Sequence, residues 1–135
     1  MSSAFDLSGR TAIVTGANTG LGQAIAVALA QAGAGIVAVG RSSMAETRAL
    51  VAATGKPFHE ITADLATLEP VARVVEEADA AAKADGSRLD ILVNNAGIIR
   101  RADAIDFTEA DWDAVMDVNL KSTFFLTQGV AKRML

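Results

Sequence analysis

The stretch Thr11-Ala12-Ile13-Val14-Thr15-Gly16-Ala17-Asn18-Thr19-Gly20-Leu21-Gly22 decides how the chain is read. Its first five residues are a short apolar run of strand type, and the rest is a glycine turn. Behind the turn, Leu21, Ile25, Ala28, Leu29 and Ala32 recur at helical spacing and mark the expected buried face of a helix that Gly33 and Gly35 end. A strand, a glycine turn and a helix in that order put free backbone N–H groups and a positive dipole end beside the end of a strand. Glycines there let backbone approach a diphosphate, whereas without a ligand the same residues make a tight turn. The spacing at Gly16, Gly20 and Gly22 is G-x-x-x-G-x-G, not the common G-x-G-x-x-G.

The same alternation continues along the chain. Ile36 to Val39 is a second strand closed by Gly40, and Ser42 or Ser43 caps a short helix running to about Ala53. Gly55-Lys56-Pro57 breaks the chain before a third strand, Phe58 to Ala63. Thr67 caps a helix whose face is Leu68, Val71, Val74, Val75, Ala78 and Ala81. Ile91 to Val93 is a fourth strand, followed by a loop from Asn94 to about Phe107. Thr108 and Asp111 then fit a loose capping box opening one last helix. Strand and helix in alternation predict an α/β fold, a doubly wound parallel sheet with right-handed crossovers and helices on both faces.

Composition narrows the partners. The 135 residues fit one domain, with a net charge of -4 and no cysteine. An acidic chain without a basic face argues against nucleic acid, and the absence of thiols excludes disulfides and thiolate metal sites. A single histidine, His59, makes no metal cluster and reads as a surface residue, so no metal is expected. No apolar run approaches a membrane span, and Met1-Ser2-Ser3-Ala4-Phe5-Asp6 lacks the marks of a secretory signal, so the expectation is a soluble cytoplasmic protein.

Parallel sheets bind ligands outside the carboxyl ends of their strands, and each further motif falls at such an end. Asn94-Asn95-Ala96-Gly97 closes the fourth strand, either as a polar turn or as the floor of a nucleotide cleft. Asp64 closes the third, either as a capping acid or as an acceptor for an adenine amine. In the last helix Trp112, Val115, Met116, Leu120 and Phe124 mark the expected buried face, with Asn119 on that same side. A buried amide must find partners, and Asn119 is either a satisfied structural residue or the holder of a water or lysine in a proton relay.

Together these residues resemble the short-chain dehydrogenase/reductase family, which carries T-G-x-x-x-G-x-G, an Asp after the third strand, N-N-A-G, and an Asn in the following helix. The matches are Thr15, Gly16, Gly20, Gly22, Asp64, Asn94, Asn95, Ala96, Gly97 and Asn119, and they run in the family's order. The resemblance implies a Rossmann-type sheet holding NAD or NADP, with Gly16, Asn18, Thr19, Gly20, Leu21, Gly22, Arg41, Asp64, Leu65, Asn95, Ala96 and Gly97 at the cofactor and Asn119 in catalysis. Ser3-Ala4-Phe5, Asn18 to Gln23, Ala63-Asp64-Leu65, Ile98 to Asp103 and Asp111-Trp112-Asp113 look like the sugar-acid members. Those are the 2-deoxy-D-gluconate 3-dehydrogenases, also called 2-dehydro-3-deoxy-D-gluconate 5-dehydrogenases. The implied reaction is hydride transfer between NAD(P) and a secondary alcohol or ketone of a deoxy sugar acid, in a homotetramer.

The family's chemistry also needs a Ser and a Tyr and Lys spaced Y-x-x-x-K, and this chain contains no Tyr. It stops at Leu135 still in helical rhythm, so residues 1–135 read as an NAD(P)-binding domain truncated before the catalytic segment. The alternative is a non-catalytic nucleotide-binding module that ends at residue 135. The second strand leads into Arg41-Ser42-Ser43 with no acid until Glu46, so a 2′-phosphate can be received and the choice between NAD and NADP stays open. Arg100 and Arg101, just past the fourth strand, are candidates for a substrate carboxylate, against a solvated pair or ion pairs with acids such as Asp103 or Asp106.

Overall fold

The structure, a computed structural model, describes residues 3–135. Met1 and Ser2, part of the stretch read against a secretory signal, lie outside the described residues. Four strands, β1 (Arg10–Thr15), β2 (Gly35–Gly40), β3 (Phe58–Thr62) and β4 (Arg88–Val93), pair in parallel in the order β3-β2-β1-β4. Between them run α1 (Gly20–Gln31), α2 (Ala45–Ala52) and α3 (Val71–Ala84), and after β4 come α4 (Glu109–Met116) and α5 (Thr123–Met134). The chain steps outward from β1 to β2 and β3, then crosses back to place β4 on the other side of β1. The strand order therefore reverses at β1.

The alternation of side chains along each strand builds two cores. Ile13, Val37, Val39 and Ile61 point to one face and meet Val74, Val75, Ala78 and Ala82 of α3 and Leu126 and Val130 of α5. Ala12, Val14, Ile36 and Ala38 point to the other and meet Ala26 and Ala30 of α1 and Val51 of α2. The second face is rich in alanine on both sides, which lets α1 lie close to the sheet.

That close approach corrects the expected face of α1. Its buried residues are Gly22, Ala26 and Ala30, whereas Leu21 is 76% exposed and Ala28 is exposed. Small residues spaced by four turn inward because the sheet is near, and Ile25 and Leu29 flank them, partly buried. Two other starts move. Pro70, not Thr67, stands at the N-terminal boundary of α3, and Met44 stands at that of α2, with the Ser43 hydroxyl accepting from the Ala45 N–H at 3.3 Å. β4 begins three residues earlier than the apolar run because Asp90 pairs with Arg10 and Arg88, which neutralises its charge on an outer strand.

The last helix is not continuous. A π-helical turn spans Asp117–Ser122 between α4 and α5. The buried side is Val118, Ser122, Leu126 and Val130, so the expected face was wrong: Trp112, Leu120 and Phe124 are 56%, 63% and 59% exposed. Ser122 tolerates burial because its hydroxyl donates to the Leu65 carbonyl at 2.6 Å. Asn119 accordingly lies on the exposed side. The Thr108 cap stands as expected, its hydroxyl oxygen accepting from the Asp111 N–H at 3.1 Å. The Asp111 carboxylate turns instead toward Arg100. His59 is half-buried, its Nε2 lying 2.8 Å from an Asp85 carboxylate oxygen.

Candidate functional site

The carboxyl ends of all four strands open into one cleft of about 460 Å³. That size lies within the usual range of small-molecule sites, roughly 300–1,000 Å³. It sits where the strand order reverses, the place where open α/β sheets leave a crevice between diverging loops.

The floor is built by backbone and by short side chains. Gly16 has φ +64, a left-handed conformation, and a Cβ there would lie 3.0 Å from Asn95 Nδ2 and 3.1 Å from Ala96 Cα. A Cβ on Gly22 would collide with the Gly16 carbonyl, so the first turn of α1 packs directly on the loop that precedes it. Asn95 closes this contact by donating from Nδ2 to the Gly16 carbonyl at 3.2 Å. The buried Thr15 hydroxyl oxygen accepts from the Asn95 and Ala96 N–H groups at 3.0 and 2.9 Å. The ends of β1 and β4 are thereby locked together. Asn94 points the other way and donates to the Thr127 hydroxyl of α5 at 3.0 Å.

Gly16, Asn18, Thr19, Arg41, Asp64, Leu65, Asn95, Ala96, Gly97 and Arg100 all line the cleft. Of the expected cofactor residues, Gly20, Leu21 and Gly22 do not, and Leu21 projects into solvent; these three shape the turn from behind. Asp64 faces the cleft while one carboxylate oxygen accepts from the Ala66 N–H at 2.9 Å, so it also fixes its own turn. Arg101 is exposed and outside the cleft wall. Arg100 reaches the wall, with Nε 3.7 Å from Asp111; the acid beside it is therefore Asp111, not Asp103 or Asp106.

Asn119 sits behind Gly97. Its Oδ1 accepts from the Ile98 N–H and its Nδ2 donates to the Ile98 carbonyl, both at 2.9 Å. Oδ1 also lies 3.2 Å from where a Gly97 Cβ would be, which explains a glycine there. An amide has two lone pairs and two hydrogens, so one of each is left for a further partner.

Ser42, which the sequence places with Arg41 and Ser43 as a possible receiver of a 2′-phosphate, lines the cleft and accepts from Asn18 Nδ2 at 3.1 Å. Sequence reasoning missed Thr47. The signal was present: Thr47 stands four before Val51 on the buried stripe of α2, where a hydroxyl has to find an acceptor.

Comparison with known proteins bears on this geometry. A family model described as short chain dehydrogenase matches residues 10–135. A curated relative, the 2-dehydro-3-deoxy-D-gluconate 5-dehydrogenase of Escherichia coli (strain K12), is 48% identical over 130 residues, covering 96% of this chain and 50% of the relative. The crystal structure of a protein from Agrobacterium tumefaciens with bound NADP is 50% identical, with a TM-score of 0.81 over 98% of this chain and 50% of its own. A short chain dehydrogenase from Mycobacterium paratuberculosis, bound to NAD, is 32% identical with a TM-score of 0.86, over 96% of this chain and 52% of that one. The chain spans about half the length of the curated relatives it matches. Glycine turn, parallel order and matched residues agree from Arg10 to Leu135, and the chain belongs to the short-chain dehydrogenase family.

Proposed function

We propose that residues 1–135 are the cofactor-binding domain of an NAD(P)-dependent oxidoreductase acting on a deoxy sugar acid such as 2-deoxy-D-gluconate. One observation carries the reading: the cleft where the strand order reverses is walled by Gly16, Asp64 and Asn95 to Gly97. The residues fit a dinucleotide. The floor is glycine and backbone, so a diphosphate can approach closely, and the start of α1 adds the favourable end of its dipole. Asp64 offers a carboxylate oxygen to an adenine amine, and Arg41 with Ser42 flanks the ribose end. When bound, the nicotinamide supplies the site that gives or takes hydride.

Asn119 acts from outside the cleft wall. It holds Ile98 in place beyond Gly97, and its free lone pair and hydrogen can order a water or a lysine for proton transfer. Catalysis further requires a Tyr, which residues 1–135 lack. Arg100, at the wall, is the better placed of the two arginines for a substrate carboxylate. NAD and NADP are both candidates, since relatives of this fold bind one or the other.

A homotetramer follows from the family resemblance, and the exposed Trp112, Leu120 and Phe124 give a surface that subunit contacts would cover. Among the described residues no helix is long and apolar enough to cross a membrane. A cytoplasmic location belongs to the same reading, since the enzyme would draw on the intracellular pool of NAD(P). Light scattering on the purified full chain tests the assembly. The function is tested by following NAD(P)H absorbance with 2-deoxy-D-gluconate and the complete enzyme in which residues 1–135 are joined to the Tyr-bearing segment. Cofactor-dependent turnover is expected; cofactor binding without turnover of any deoxy sugar acid would refute the substrate class.

A further inference from the structure

Thr47 is fully buried in α2, and nothing in the chemistry above uses it. Its hydroxyl donates to the Ala17 carbonyl at 2.7 Å and accepts from Gln23 Nε2 at 3.1 Å. The second hydrogen of that nitrogen goes to the Asn18 carbonyl at 3.3 Å. Two consecutive carbonyls of the glycine turn thus end on one side-chain pair, Gln23 from α1 and Thr47 from α2.

The consequence lies in peptide geometry. A trans peptide unit carries its C=O and N–H on opposite edges. With the Ala17 and Asn18 oxygens drawn toward α2, the N–H groups of Asn18 and Thr19 turn away from it. Both residues line the cleft, and among the described residues neither N–H has a hydrogen-bond partner. The loop before α2 is fixed at the same time. The Met44 N–H donates to Glu60 at 3.0 Å, and the Met44 side chain lies across Gly40, where a Cβ would come within 2.5 Å of its terminal methyl. Ser42 in that loop accepts from Asn18. Turn and loop are therefore one connected unit, hinged on Thr47 and Gln23.

We propose that Gln23 and Thr47 are positioning residues that preset the 17–19 turn and the 41–42 loop to receive the anionic ribose-phosphate portion of a dinucleotide. The inference rests on the cofactor reading above. It is tested by titrating the full chain with NADH and NADPH, following nicotinamide fluorescence well below each variant's melting temperature. Thr47→Val keeps the volume and removes the hydroxyl, leaving a buried carbonyl and an amide short of a partner. Kd is expected to rise about tenfold, with Thr47→Ser returning it to within about twofold of the wild-type value. A purely structural Thr47 would lower the melting temperature of the valine variant and leave Kd where it was; that result overturns the inference while the cofactor reading stands. If Thr47→Val does not fold, Gln23→Leu decides, with a rise of about fivefold expected and an unchanged Kd contradicting the proposal. A folded wild-type chain that binds neither nucleotide removes the cofactor reading itself.

Discussion

Gly16 carries two requirements at once, a left-handed backbone and room for Asn95 and Ala96. A side chain there strains the turn and pushes into the loop after β4. Gly16→Val is expected to abolish measurable NAD(P)H binding and also to cost roughly 1–3 kcal/mol of stability, because a branched residue is poorly tolerated at positive φ. Thermal melting and nucleotide titration check the two effects, and unchanged affinity would separate the turn from the cofactor. Arg41 makes no ion pair among the described residues and faces the cleft. Arg41→Ala is expected to weaken NADP(H) about tenfold more than NAD(H), since a charge-assisted contact to a 2′-phosphate is worth roughly 1.5–3 kcal/mol; equal weakening of both argues against it. Arg100→Ala is expected to raise KM for the sugar acid about tenfold, with Arg101→Ala near wild type, on the same energetic ground. At this scale the sequence was informative where chemistry leaves a fixed mark, as in Thr15-Gly16 and Asn94 to Gly97. It did not reveal the partners of Thr47 and Ser42, which come from other elements and lie 24 or more positions away.

Elements were legible in kind and order, but not always in orientation. The strands followed from apolar runs and glycine punctuation. The helix after β4 was misjudged because it carries two apolar stripes, and the bulkier one, Trp112, Leu120 and Phe124, is the one left outside. Size cannot decide between stripes when the sheet selects the side that fits, and the π turn at Asp117–Ser122 shifts the register between α4 and α5. Leu126, fully buried against the β1–β2–β3 face and α3, tests the revised assignment. Leu126→Ala is expected to cost about 2–5 kcal/mol, whereas Leu120→Ala in the isolated subunit costs little. Asp79 gives the second test. Lys83 Nζ, one turn on in α3, lies 2.9 Å away, and Arg133 Nη1 at 2.8 Å ties α3 to α5; the hydrogen bond from Lys83, with that from Arg133, holds its carboxyl below the ordinary carboxylate range. Because the folded state favours the charged form, this contribution is complete above the unfolded pKa of about 3.9 and is lost as pH falls through the lower folded value. Asp79→Asn is expected to destabilise the chain at pH 7 by about 1 kcal/mol or less, given the exposure of both cations, and to flatten the acid limb of its stability curve. Urea midpoints from pH 7 down to pH 3 check this; parallel curves for the two proteins would contradict it.

At the scale of the whole molecule, the reversal of strand order at β1 is what turns scattered motifs into a site. β1 and β4 end side by side, their loops are stitched through Thr15 and Asn95, and the neighbouring ends of β2 and β3 bring Arg41 and Asp64 to the same cleft. The parallel order followed from alternation of elements in the sequence, but the convergence of Arg100 with the glycine turn required the folded chain. The account stands on that cleft holding a nicotinamide dinucleotide. Equilibrium titration of the folded full chain with NADH and NADPH, read by nicotinamide fluorescence beside the Gly16→Val variant, tests it most directly. Saturable binding of at least one nucleotide by the wild-type protein, lost in the variant, is the result expected; a folded wild-type protein that binds neither, or a variant that binds as tightly, would contradict it.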